Sequence, residues 1–295
     1  MEDPTRLVSW VTQSFLRTTL TVLRLYNLSN VPLALLSACP NLRDIYVDYC
    51  DVDRSSKGNN GTGSDVDREQ PTQSIQTLDY RHSRRLVRAL LQWPTRGSWF
   101  SNLQVLRTCS DELESLELAK ALIQEASSLK QLLLTHRNGS FTWKGTYIPL
   151  SKFLNLGSLP SLRVFAAFIQ IKERERHSSV NRTVIRDIAQ VLSTIPSESN
   201  NISRLSLTLR AEGFHPFQCT RDQDWEGLCN EVARIAVPTR QLQFEFELLA
   251  VDPDPFRIPV SGGEELRRYI MDQIGTRLKD KDHVLVKFAV PSFSY

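Results

Sequence analysis

Histidine is the natural place to begin a search for chemistry, because imidazole exchanges protons near neutral pH. The chain carries His82, His136, His177, His215 and His283. They are isolated from one another, and no two have the helical spacing at which a pair grips a metal. His82 and His136 each follow a strand-like phrase, at the carboxyl end where α/β active sites gather. A hydrolase or transferase built on them would need both, with nearby acids, to converge within about 3 Å. Equivalent positions on neighbouring strands lie about 4.8 Å apart, and these two histidines fall about two strands apart. They are therefore expected to be separate surface residues, with the strand-end enzyme as the weaker alternative.

The other reactive groups point the same way. Asp51 and Asp53, and Asp252 and Asp254, are carboxylate pairs that flank turns, and turn aspartates need no catalytic explanation. The nucleophile motif Gly-x-Ser-x-Gly does not occur. Gly61-Thr62-Gly63-Ser64 lacks the lysine and the preceding strand of a phosphate loop, and reads as linker. Cys39, Cys50, Cys109, Cys219 and Cys229 are odd in number and scattered, with no Cys-x-x-Cys pair. Neither a zinc site nor a disulfide framework is indicated, and a reducing compartment is the simplest setting. Lys172 to Arg176 is a mixed-charge run that reads as a solvated loop or frayed strand end. No catalytic, cofactor-binding or metal-binding residue is assigned, no cofactor is expected, and the chain is read as not an enzyme.

What would position any functional side chain is a recurring phrase: an apolar residue, two others, an apolar residue, one other, an apolar residue. It appears as Leu20-x-x-Leu23-x-Leu25, Leu42-x-x-Ile45-x-Val47, Ile75-x-x-Leu78-x-Tyr80 and Leu103-x-x-Leu106-x-Thr108. It continues as Leu129-x-x-Leu132-x-Leu134, Leu162-x-x-Phe165-x-Ala167 and Ile202-x-x-Leu205-x-Leu207. Leu242-x-Phe244-x-Phe246 and Val284-x-Val286-x-Phe288 complete the set. The period of two is that of a half-buried strand. Between the phrases lie helical stripes: Leu86, Val87, Leu90 and Leu91; Val184, Ile185, Ile188, Val191, Leu192 and Ile195, with Asn181 as cap; Trp225, Leu228, Cys229, Val232 and Ile235. A last one, opened by a capping box at Ser261–Glu264, carries Leu266, Tyr269, Ile270 and Ile274. The step between phrases is uneven. The longest early step contains residues 53–72, nearly free of apolar side chains and expected to be a disordered surface loop. No linker divides the chain, so residues 1–295 read as one irregular array, with Trp10 available to cap the open end of its core.

Strand–helix alternation also suits a closed eight-stranded barrel, but barrel strands are covered on both faces and read as continuous apolar runs. Here the alternate positions are often polar. The expected fold is α/β: an open, leucine-rich-repeat-like solenoid or horseshoe, with a parallel sheet on the concave side and helices on the convex side. Leu133, Val164, Ala166 and Phe168 would form an apolar patch on that concave face, open to a partner or covered by an inserted loop.

At 41% apolar and 23% charged residues, with a net charge of +3 and the two signs interspersed, the composition is that of a globular protein without a basic stripe. Nucleic acid is not an expected partner. No stretch approaches the roughly 18 apolar residues of a membrane helix, and the acidic N-terminus is unlike a secretory signal. The cytoplasm, with the nucleus as an alternative, is the expected location. The sequons at Asn27, Asn60, Asn138, Asn181 and Asn201 then serve as turn and cap asparagines.

The stretch Leu20–Val52, LTVLRLYNLSNVPLALLSACPNLRDIYVDYCDV, resembles the leucine-rich-like region of the large group of fungal F-box proteins. SLKQLLLTHRNGSFTWKG followed by LPSLRVFAAFIQI has the same character. In that family an N-terminal helical F-box docks on a ubiquitin-ligase subunit, and the repeats recognise the substrate. Only Met1–Thr19, with one helix-like stretch around Trp10, Val11 and Phe15, precede the first phrase, so the resemblance implies recognition without the F-box.

The expected contact residues for a protein partner are the outward strand positions: Arg24, Tyr26, Asp44, Tyr46, Asp48, Asp79, Arg81, Arg107, Leu133, Arg204, Ser206, Gln243 and Glu245. Tyrosine and arginine dominate binding hot spots, so Tyr26, Tyr46, Arg81 and Arg107 rank first.

Overall fold

The computed structural model describes residues 16–37, 39–52, 74–92, 99–110, 112–137, 148–172, 184–212, 220–221, 223–251 and 262–289. Residues 53–72, Trp10, Asn181 and Ser261 lie outside them, as do Glu173 to Arg176. In chain order the elements are α1 (Leu16–Thr19), β1 (Val22–Tyr26), α2 (Leu33–Ser37), β2 (Asp44–Asp48), β3 (Thr77–Arg81), α3 (Arg84–Leu91), β4 (Val105–Ser110), α4 (Leu113–Glu125) and β5 (Gln131–Arg137). Then follow β6 (Val164–Lys172), α5 (Val184–Ser193), β7 (Arg204–Glu212), α6 (Trp225–Ile235), β8 (Leu242–Val251), α7 (Gly262–Leu278) and β9 (Val284–Ala289). They cluster into two compact units, Met1–Thr108 with Ala121–Leu129, and Cys109–Lys120 with Lys130–Tyr295.

In the first unit β1, β2, β3 and β4 pair in parallel and in chain order. The register sets Leu23, Ile45, Leu78 and Leu106 side by side, and Leu25, Val47, Tyr80 and Thr108 beside one another two residues on. Ile45, Leu78 and Leu106 are fully buried. Successive strand side chains point to opposite faces, so these two rows make one continuous apolar surface. Each such side chain taken out of water contributes about 1.5–3 kcal/mol. Leu86, Val87, Leu90 and Leu91 of α3 are also buried, as their helical spacing demands.

In the second unit β5 to β9 pair in parallel, again in chain order. The aligned inward residues are Leu132, Phe165, Leu205, Phe244 and Val286, then Leu134, Ala167, Leu207, Phe246 and Phe288. Strands β6, β7 and β8 have 9, 9 and 10 residues, against 5 in each of β1, β2 and β3. The extra length creates a third inward row, His136, Ile169, Leu209 and Leu248.

Polar side chains tie the helical side of one repeat to the next. The buried Asp187 carboxylate of α5 accepts from the backbone N–H groups of Leu150 (2.7 Å) and Ser151 (3.0 Å). Gln223 Oε1 accepts from Ile185 N–H in the first turn of α5 (3.1 Å). At the other end of α5, Arg234 of α6 donates to the carbonyls of Leu192 (3.0 Å) and Ile195 (2.7 Å). These groups satisfy helix-terminal N–H and C=O groups that have no partner inside their own helix.

Parallel strands in chain order, most of them joined by a helix among the described residues and leaving one sheet face open, make both units α/β open solenoids, the expected fold class. The open face excludes a closed barrel.

Candidate docking surface

The outward side chains of the first unit fall into three rows: Val22, Asp44, Thr77 and Val105; Arg24, Tyr46, Asp79 and Arg107; Tyr26, Asp48 and Arg81. Each row repeats across neighbouring strands, so its members interact laterally. The Arg24 guanidinium carbon lies 4.8 Å from the centroid of the Tyr46 ring, a cation–π contact. Asp79 sits between two arginines, 3.7 Å from Arg81 Nε and 3.8 Å from Arg107 Nη1. Burial pushes the Asp79 carboxyl above its usual range; Arg81 and Arg107 pull it back down, and Asp48 pushes it further up. Arg24, Arg81 and Arg107 are exposed, and Tyr26 is 57% exposed.

In the second unit the outward apolar side chains gather on β5 and β6, and the outward glutamates lie on β8. Gln131, Val164, Arg204, Gln243 and Leu285 are aligned, as are Leu133, Ala166, Ser206, Glu245 and Lys287, and then Thr135, Phe168, Thr208, Glu247 and Ala289. Leu133, Val164, Ala166 and Phe168 are half-buried. Arg204 Nε donates to Glu245 Oε2 at 2.9 Å, Gln243 Nε2 donates to Glu245 Oε1, and the Thr208 hydroxyl donates to Glu247 Oε2 at 3.1 Å. All thirteen residues singled out from the sequence as contacts lie on outward positions, and none of them is buried.

Sequence reasoning set His82 past its strand but missed the stack it forms at the carboxyl ends of β2 and β3. Asn27, Tyr49 and His82 each stand one residue past the aligned strand ends Tyr26, Asp48 and Arg81. All three have left-handed backbone, with φ of 53°, 51° and 47°. Tyr49 and His82 stack with ring centroids 4.2 Å apart and an interplanar angle of 11°. His82 Nδ1 lies 3.2 Å from Asp48 Oδ1, and Arg85 donates to Asp51 at 2.7 Å. Tyr49 is 58% exposed. The asparagine at position 27 was the available signal, since Asn tolerates left-handed backbone and marks this step of the repeat as needing it.

The histidines need one correction. His136 does not lie beyond its strand on the surface. It is inside β5, on the third inward row, and only 2% exposed. The period of two carries Leu132 and Leu134 on to His136, so the extra strand length turns it inward. Its Nδ1 is 3.0 Å from Ser110 Oγ and 3.2 Å from the Ser110 carbonyl oxygen. A serine–histidine contact this deeply buried offers a substrate no approach. His82 is engaged by Asp48 and Tyr49.

Among the described residues no three metal-ligating side chains come together. A small recess in the second unit is lined by Phe246, Leu248, Ile270, Met271 and Phe288, with Arg267 as its charged member, and contains no nucleophile or carboxylate. Among the described residues no helix is long and apolar enough to cross a membrane.

The strand phrase, its register and the intervening helices define the class: an α/β solenoid of the leucine-rich-repeat type. No protein-family profile matches the chain, and no curated protein matches it. Among solved structures it is similar to internalin C2 of Listeria monocytogenes, with 11% identity over 91% of this chain and 80% of that one, and a TM-score of 0.36. At that score the likeness adds nothing to the assignment, which rests on the strands.

Proposed function

We propose that the chain is a non-enzymatic interaction module that binds a protein partner through the outward faces of its strands. The observation that carries this is the Tyr and Arg content of the first unit's open face. Arg24, Tyr26, Tyr46, Arg81 and Arg107 share two neighbouring rows there, and none of them is buried. These are the residue types that most often anchor interfaces, and they can vary without disturbing the inward rows. Cys39, Cys50, Cys109 and Cys229 are buried and, among the described residues, not joined in a disulfide, which fits work in the reducing cytoplasm. The resemblance to the fungal F-box group supports substrate recognition for a ubiquitin ligase as the particular use of such a face.

Photo-crosslinking tests the proposal. A benzophenone side chain placed at Tyr26, Tyr46 or Arg107 is expected to give a discrete crosslinked product in extract, while one at the exposed helix position Arg88 gives none. A product from Arg88 alone would move docking to the helical side and contradict the proposal. Ubiquitin-ligase scaffold subunits in the strand-face product would support the adaptor use.

A further inference from the structure

Burial accounts for the inward rows, but not for the turn after β2. Asn27, Tyr49 and His82 occupy one repeated position, and all three carry positive φ. Asparagine adopts such backbone readily, whereas a bulky aromatic does so against steric resistance. Tyr49 is nonetheless a tyrosine, with one ring face against His82 and more than half its surface open. A strained, exposed ring of this kind marks a functional position more often than a structural one.

Its surroundings define what it would receive. Tyr26, equally exposed, is the register partner of Asp48, the residue immediately before Tyr49. Asp51 follows two residues later. On the β3 side the corner is bounded by Arg81 and by Arg85, which is paired with Asp51. Ring faces are negative and attract cations, and the same sheet shows this in the Arg24 guanidinium over Tyr46. Among the described residues no cation is recorded over Tyr26 or Tyr49. A carboxylate seated beside Asp48 would meet a like charge, and Arg81 and Arg85 are already paired with Asp79 and Asp51, so an acidic segment does not fit.

We propose that Tyr26, Tyr49 and Asp48 form a receiving corner for a basic side chain, an arginine or lysine presented by the protein partner. The cation would lie against the tyrosine rings and share Asp48 with His82, whose Nδ1 lies 3.2 Å from Asp48 Oδ1. This rests on the strand-face docking reading and names the chemistry of one of its contacts.

The test uses the full chain and two fluorescein-labelled peptides of equal length, one alternating Gly and Arg, the other Gly and Glu, read by fluorescence anisotropy. The Arg peptide is expected to bind and the Glu peptide not. Tyr49→Asn, which installs the residue already present at position 27, is expected to weaken Arg-peptide binding about five-fold or more. Its melting temperature should be unchanged or raised, because the backbone strain is relieved. Equal binding of the Glu peptide, an unchanged affinity in Tyr49→Asn, or a fall in its melting temperature would each overturn the proposal. Crosslinking from Tyr26 combined with no Arg-peptide binding sinks this inference alone; absence of strand-face crosslinking sinks the docking reading as well.

Discussion

The carboxylate of Asp187, buried in α5, accepts the backbone N–H groups of Leu150 at 2.7 Å and Ser151 at 3.0 Å, 37 and 36 residues earlier in the chain. It caps the short 3-10 turn Leu150–Lys152 from the neighbouring repeat. Asp187→Ala strands both donors, one of them in a buried setting, and is expected to cost about 2–3 kcal/mol. Urea denaturation followed by circular dichroism measures it. A loss below about 0.5 kcal/mol would mean that solvent satisfies these donors.

Close approach between repeats makes a second prediction. A Cβ placed on Gly157 would stand 2.2 Å from the Thr194 carbonyl oxygen, nearer than atoms tolerate. That carbonyl is backbone and cannot swing aside as a side chain would. Gly157→Ala is therefore expected to destabilise the second unit by about 1–3 kcal/mol, through displacement of the turn or of the end of α5. An unchanged melting curve would show that the Asn155–Leu159 turn does not lie against α5 as described.

Asp79 gives a dependence on pH. Its folded carboxyl is raised above the usual value, chiefly by burial. The folded state then holds this proton more tightly than the unfolded chain does. Asp79's contribution to stability is fully present below the ordinary carboxylate pKa and is lost as pH rises through the raised folded value. Asp79→Asn is expected to be more stable than the parent at about pH 7, with the difference shrinking towards about pH 3. If the variant is less stable at neutral pH, the attraction of Arg81 and Arg107 outweighs burial.

Much of this arrangement was legible in the residues. The alignment of Leu23, Ile45, Leu78 and Leu106, and of Leu132, Phe165 and Leu205, is the register of the strands, because a period of two is a local property. The outward positions follow from the same parity. His136 escaped because the end of β5 is set by pairing along β6, a tertiary effect with no mark in its own neighbourhood. Asp187 escaped because a carboxylate inside an apolar helical stripe reads as a solvated exception, whereas its partners lie in a distant turn. Tyr49 escaped because left-handed backbone is expected of Gly or Asn, and only comparison with Asn27 reveals it.

The cysteines yield a fourth prediction. Burial pushes the Cys229 thiol up to about 11, with Arg277 pulling weakly the other way. Near pH 8 only about one thiol in a thousand would be thiolate, the reactive form. Iodoacetamide is expected to leave Cys229 unmodified in the folded protein and to alkylate it after denaturation, as read by peptide mass spectrometry. Rapid labelling in the folded state would place that thiol at the surface.

The central claim is that the open strand face binds and the closed one folds. The measurement that tests it most directly is quantitative partner capture by Tyr26→Ala/Tyr46→Ala, normalised to the folded fraction from its melting curve. The account predicts a melting temperature within about 3 °C of the parent, as for surface substitutions, and capture reduced at least about ten-fold, as for two anchors lost. Full capture by a folded double variant would contradict the docking claim, and a collapsed melting curve would place those rings in the core.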